Sequence, residues 1–110
     1  MRIYNVILSH LPQESSDFKF AKTINDNKFE WWRYTMQNWI IATPDNISTN
    51  QIMTYTLDAY GAVFFVILEI TINDVGGIFP SKKGDLKEGT PFEWFYKIKD
   101  PSFVPKWEKE

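Results

Sequence analysis

The sequence predicts an α+β domain whose elements run strand, helix, strand, strand, helix, strand, with a further helix near the end of the chain. Three observations carry this. Runs of β-branched and aromatic residues recur in four places, segments between them repeat apolar residues at helical spacing, and one helix start bears a full set of capping residues. A chain of 110 residues has room for one core rather than two. Residues 1–100 read as that single domain and 101–110 as a tail. The aromatic share of 17% implies a core built from few large pieces, among them Phe64, Phe65, Phe92 and Phe95, with some aromatics left over to cover a partner.

The first strand is Ile3 to Leu8, apolar on both faces as a central strand is, and Pro12 ends it. Ser16 is placed to cap a helix whose Phe18, Ala21 and Ile24 share a face, while Asn25, Asp26 and Asn27 tolerate a left-handed exit. Aromatic and β-branched residues return from Phe29 to Met36. Gln37 and Asn38 separate that run from Trp39 to Thr43, and the two read as a hairpin. Ser48 and Gln51 then have the spacing of a capping box, flanked by Ile47 and Ile52 as a hydrophobic staple. The helix they start extends from Thr49 to about Tyr60, turns Ile52, Met53, Thr56, Leu57 and Tyr60 inward, and exits at Gly61.

Val63 to Ile72 has the composition of a buried strand, with Glu69 and Thr71 on one face and Glu69 expected in solvent or beside a lysine. Asn73 to Gly77 is a turn, and 78–89 a loop carrying Lys82, Lys83 and Lys87. Thr90, Pro91 and Glu93 mark the N-cap, N1 and N3 positions of a short helix to about Lys99, with Phe92, Phe95 and Tyr96 or Ile98 inward. The tail from Ser102 to Glu110 is either disordered or docked through Phe103 and Trp107.

This order is the ferredoxin-like split β-α-β pattern, β-α-β-β-α-β with an extra C-terminal helix. Right-handed crossovers then dictate an antiparallel sheet of order 4-1-3-2. That topology gathers Ser9, His10, the hairpin tip at Gln37 and Asn38, and Gly61 at one end of the sheet, with Asp45 and Asp74 at the other.

Twelve basic against 14 acidic residues give a net charge of −2, which argues against a strong nonspecific duplex-binding surface. The absence of cysteine removes disulfides, thiolate metal sites and Cys nucleophiles, and a single histidine excludes a multi-His metal centre within one chain. The apolar run at the start is too short for a signal peptide, and Ala62 to Leu68 is far short of the roughly 20 residues that span a bilayer. A soluble, cytoplasmic protein with no membrane partner is expected.

The string F-E-W-W-R-Y-T-M-Q-N-W-I-I-A-T from Phe29 to Thr43, the I-S-T-N-Q-I helix start, the F-F-V-I-L-E-I strand, the Gly-Ile-Phe-Pro loop and the Phe-Glu-Trp-Phe helix together resemble the SinR-like small proteins. Those are similar to the VapD toxins and to the small ferredoxin-like CRISPR-associated adaptation subunit, an endoribonuclease-like protein. The likeness runs in order over about residues 2 to 99 and rests on core aromatics and caps. It implies a symmetric homodimer and a setting in toxin-antitoxin, phage-defence or mobile-element systems. Several members of the group are metal-dependent ribonucleases that pair an Asp at the end of strand one with its copy across the dimer to hold Mg²⁺. Here that stretch is Leu8-Ser9-His10-Leu11-Pro12, without an acid, so no metal ligand is expected; Mg²⁺ would matter only if the group's nuclease activity were retained, and its loss is the expectation.

His10 and Ser9 are the remaining candidates for catalysis, since imidazole serves as a general base near neutral pH. They define one alternative, an active endoribonuclease. Arg33, Lys82 and Lys83 are the candidates for contact with RNA or a nucleotide, the lysines lying in a Gly-rich loop suited to an anion. They belong to another alternative, a non-enzymatic binder that inhibits a host protein or sequesters a nucleotide. Trp31, Trp32, Tyr34 and Trp39 sit on the hairpin, where successive residues point to opposite faces. One of Trp31 and Trp32 therefore faces the helices and the other the bare side of the sheet, which predicts a sheet-to-sheet homodimer contact drawn from these four aromatics.

Overall fold

The computed structural model describes residues 1–61, 63–73 and 93–109. Residues 1–71 with 105–110 form one compact unit and 72–104 a second. The first unit contains β1 (Arg2–Leu8), α1 (Glu14–Asp26), β2 (Glu30–Thr35), β3 (Asn38–Thr43), α2 (Thr49–Tyr60) and β4 (Phe65–Ile70). Its four strands form one sheet in the order β2-β3-β1-β4, antiparallel at every pairing. Read from the β4 edge, that order is 4-1-3-2. The architecture is α+β, compatible with a ferredoxin-like arrangement.

Strand register sorts the side chains. Tyr4, Val6 and Leu8 of β1 and Trp39 and Ile41 of β3 join Phe20 and Ile24 of α1 and Ile52 of α2 in the core, with Phe65 and Ile67 packed against it. The alternate positions take the opposite face: Ile3, Asn5 and Ile7 of β1 stand in register with Ala42, Ile40 and Asn38 on one side and with Ile70, Leu68 and Val66 on the other. The side-chain oxygen of Asn5 is buried on that face without a hydrogen-bond partner among the described residues.

Local chemistry corrects several sequence expectations. Helix α1 starts at Glu14 behind Gln13, whose side chain makes no capping bond, so Ser16 is not the cap. Its inward residues are Phe20 and Ile24, and Phe18 is 76% exposed; two residues along a helix is a rotation of about 200°, so Phe18 and Phe20 cannot share a face. At the helix exit Asn27 stays right-handed and bonds Thr23 O through its side chain, and Lys28 takes the left-handed conformation at φ 59°. The hairpin turns at Met36 and Gln37, so Asn38 opens β3 rather than belonging to the turn, and a register shift between Arg33 and Thr35 makes Tyr34 the extra residue of a bulge.

Helix α2 carries the capping box as spaced in the sequence: Ser48 Oγ accepts from Gln51 N, and Ser48 N donates to Gln51 Oε1 at 2.8 Å. Ile52 and Thr56 are buried, with Tyr55, Ala59 and Tyr60 packed against the core. Met53 and Leu57 are exposed, because the stripe is centred on 52, 56 and 59 and both residues lie beyond its Tyr60 edge. Strand β4 is shorter than expected. Phe64 precedes it and is 80% exposed, outside the core assigned to it. Glu69 is exposed, as expected, and pairs with Arg2 at 2.7 Å rather than with a lysine.

The segment Pro105–Glu110 belongs to the first unit. Pro105 is buried, and Lys106 N donates to Oε1 of the buried Glu30 at 3.2 Å, ahead of a single 3-10 turn over Lys106–Glu108. The tail is therefore docked, with Glu30 as its anchor. In the second unit, α3 (Glu93–Lys99) has Phe95 and Ile98 buried and Tyr96 exposed. Lys99 Nζ donates to Asn73 O at 2.6 Å, and Lys97 lies 5.6 Å from the centre of the Phe103 ring. Asp74, the lysine loop with Lys82 and Lys83, and Thr90, Pro91 and Phe92 lie outside the described residues. No helix among the described residues is long and apolar enough to cross a membrane.

Candidate functional site

Where β1 ends, the chain is fastened on both sides, through Leu8 on one and Ser9 on the other. Leu8 N donates to Gln37 O at 2.8 Å, Gln37 Nε2 donates to Leu8 O at 3.1 Å, and Ser9 N donates to Phe64 O at 2.9 Å. Ser9 and His10 leave the sheet from this fixed point and are exposed. Ser9 Oγ lies 2.7 Å from His10 Nδ1, which leaves Nε2 as the second hydrogen-bonding atom of the ring. The end of the sheet thus holds the two candidate catalytic residues in mutual contact, beside the hairpin tip and the segment after Gly61.

A cavity of about 310 Å³ opens here. Leu8, Leu11, Pro12 and Val63 give it apolar walls with Tyr60, and His10, Gln13 and Ser16 give it polar ones. Behind Tyr60 runs a chain of polar groups. Trp39 Nε1 donates to Tyr60 Oη at 3.1 Å, and Tyr60 Oη donates to Asp17 Oδ1 at 2.5 Å. Arg33 NH1 meets Asp17 Oδ2 at 2.9 Å, with its guanidinium 4.5 Å from the Trp39 ring centre. Burial pushes the Tyr60 phenol well above the usual range, and the hydrogen bond to Asp17 and its charge push it further. Tyr60 is accordingly a held proton donor at neutral pH, not a base.

The other predicted site residues fall in different places. Arg33 is fully engaged: besides Asp17, its Nε donates to Thr35 O at 3.2 Å and its NH2 to Met36 O. A guanidinium so tied braces the hairpin against α1 and does not offer itself to a phosphate. Trp31 faces the helices, with Nε1 2.8 Å from Asn25 Oδ1 and its ring 5.0 Å from that of Trp39. Trp39 is 1% exposed. Of the four hairpin aromatics, only Trp32 and Tyr34, ring centres 5.6 Å apart, lie on the face turned away from the helices; Trp31 and Trp39 belong to the core side.

Asp17 and Tyr60 went unread as a pair in the sequence. The available signal was topological: the start of α1 and the end of α2 adjoin the same end of the sheet, so a carboxylate in one first turn and a phenol in the other last turn meet. Among the described residues no three His, Asp or Glu gather where they would hold a metal. The end of β1 presents one hydroxyl and one imidazole in place of the carboxylates that a hard divalent cation prefers, so these residues do not fit the group's Mg²⁺ site. No protein-family model, curated protein or solved structure matches the chain.

Proposed function

We propose that this protein is a ferredoxin-like homodimer of the SinR, VapD and CRISPR-adaptation kind, working in a toxin, defence or mobile-element setting through binding rather than metal-dependent RNA hydrolysis. The observation that carries the homodimer is the β1–β4 half of the sheet face opposite α1 and α2, since the β3 half of that face is closed: Ile40 and Ala42 are buried, and Glu30, in register with Ala42, holds the tail through Lys106 N. Val66 and Leu68, each 47% exposed, stand on the edge strand β4 in register with Ile7 and Asn5, and Ile3 and Ile70 continue the apolar surface. A second copy offers the same patch to itself, as a two-fold contact requires, and removes these side chains from water. Light scattering coupled to size exclusion tests it. A dimer is expected at micromolar concentration, and Leu68→Lys should yield a monomer with unchanged circular dichroism; a wild-type monomer overturns the reading.

A second reading, cleavage of RNA without metal, is favoured by the contact between Ser9 Oγ and His10 Nδ1. In that chemistry a base takes the proton of a ribose 2′-hydroxyl, the oxygen attacks the adjacent phosphorus, and the 5′-oxygen leaves with a proton. Labelled RNA incubated with and without Mg²⁺ decides it. Metal-independent cleavage that His10→Ala abolishes supports this reading, and cleavage unaffected by His10→Ala removes it.

A further inference from the structure

The geometry points to the cavity beside His10 as a binding site for an uncharged, planar heteroaromatic ligand of the nucleobase or nucleoside kind. The inference requires neither the dimer nor RNA cleavage. At about 310 Å³ the cavity lies at the small end of the range for ligand pockets, which suits a compact metabolite and not a peptide. Its walls are of two kinds. Tyr60, Pro12 and Val63 offer apolar surface against which a flat ring stacks. The remaining lining includes neutral polar groups: the Gln13 side chain makes no capping bond, and neither it nor the Ser16 hydroxyl has a hydrogen-bond partner among the described residues.

The pairing of donors and acceptors narrows the class. A glutamine amide carries a donor and an acceptor side by side, the complement of the amide-like or amidine-like edge of a base. Serine adds a hydroxyl that both donates and accepts, and the histidine ring adds Nε2. Charge narrows it again. Among the described residues no lysine or arginine lines the cavity, and the nearby Arg33 is already matched by Asp17. A phosphate brought here gives up water without finding a lysine or arginine among the described lining residues to offset its charge, so the unphosphorylated ligand is preferred.

Calorimetric titration of the full chain with adenosine, guanosine, cytidine and uridine, each beside its 5′-monophosphate, tests the proposal. At least one nucleoside should bind, with its monophosphate about tenfold weaker or more. The same nucleoside should move the Trp39 indole resonance in a nitrogen-proton spectrum, because that N–H rests on Tyr60. Gln13→Ala should weaken binding several-fold, and Val63→Trp, which fills the cavity from an exposed position, should abolish it; circular dichroism checks that both remain folded. Absence of binding by all four nucleosides at millimolar concentration, monophosphates bound as tightly as nucleosides, or wild-type affinity in folded Val63→Trp would each overturn it.

Discussion

Tyr60 Oη donates to Asp17 Oδ1 at 2.5 Å, joining the last turn of α2 to the first turn of α1. Removing the hydroxyl leaves Trp39 Nε1 without its acceptor and Asp17 with Arg33 alone. Tyr60→Phe should therefore lower unfolding free energy by about 2 kcal/mol in urea, the scale of a hydrogen bond to a charged group. A double-mutant cycle with Asp17→Asn should show coupling of about 1 kcal/mol or more. Additive effects would mean that the short contact contributes nothing of its own.

Two of the five tyrosines, Tyr4 and Tyr60, have phenols raised by burial. In a titration monitored by phenolate absorbance both should ionise above the ordinary phenol range, and Tyr60→Phe should remove one of these two late steps. The same shifts set a direction for stability. A phenol that holds its proton more tightly when folded gives its full contribution below the unfolded pKa of about 10, and loses it as pH rises toward the folded value. Denaturation midpoints should thus fall above about pH 10, less steeply in Tyr60→Phe. Equal slopes for the two proteins would contradict this.

Gly61 ends α2 at φ 71° and ψ −147°, with its N–H bonded to Leu57 O at 2.8 Å. A Cβ there would meet nothing within 4 Å, so the whole cost of Gly61→Ala is backbone conformation. Thermal or urea unfolding should register a loss of about 1–3 kcal/mol. A neutral substitution would show that the chain after α2 can rotate to another conformation.

Lys28 presents the reverse case, a side chain held at φ 59° between α1 and β2. Lys28→Gly relieves the left-handed penalty and adds freedom to the unfolded chain, two effects of similar size and opposite sign. The net change should be a gain of up to about 1 kcal/mol. A clear loss in urea unfolding would mean that the Lys28 side chain stabilises the turn in a way its backbone does not reveal.

What the sequence disclosed depended on how local the physics was. The Ser48 and Gln51 box and the Gly61 exit involve residues within one turn of each other, and both stand where the spacing put them. Strand alternation correctly divided Trp31 from Trp32, although which took which face depended on Asn25 and Trp39 from other elements. Reading Ser16 as a cap failed because the helix starts two residues earlier, behind Gln13, and the spacing of Phe18, Ala21 and Ile24 found the buried Ile24 but chose Phe18 where the fold buries Phe20. At the site, chain order brought Ser9 and His10 beside the hairpin. Arg33 looked like an available cation until the fold supplied Asp17 and two carbonyls, contacts that no local pattern encodes.

The reciprocal bonds between Leu8 and Gln37 also divide the site into a fixed part and an exchangeable one. Residues 10–12 connect two ends that are secured without them, β1 by Gln37 and α1 by its own first-turn bonds from Ser16 N and Asp17 N to Gln13 O. Lengthening such a connection costs little, about 0.6 kcal/mol for each doubling of its length. The rim of the cavity is therefore open to redesign by loop exchange, whereas the Tyr60, Asp17 and Arg33 assembly beneath it is tied into the same packing that holds the fold.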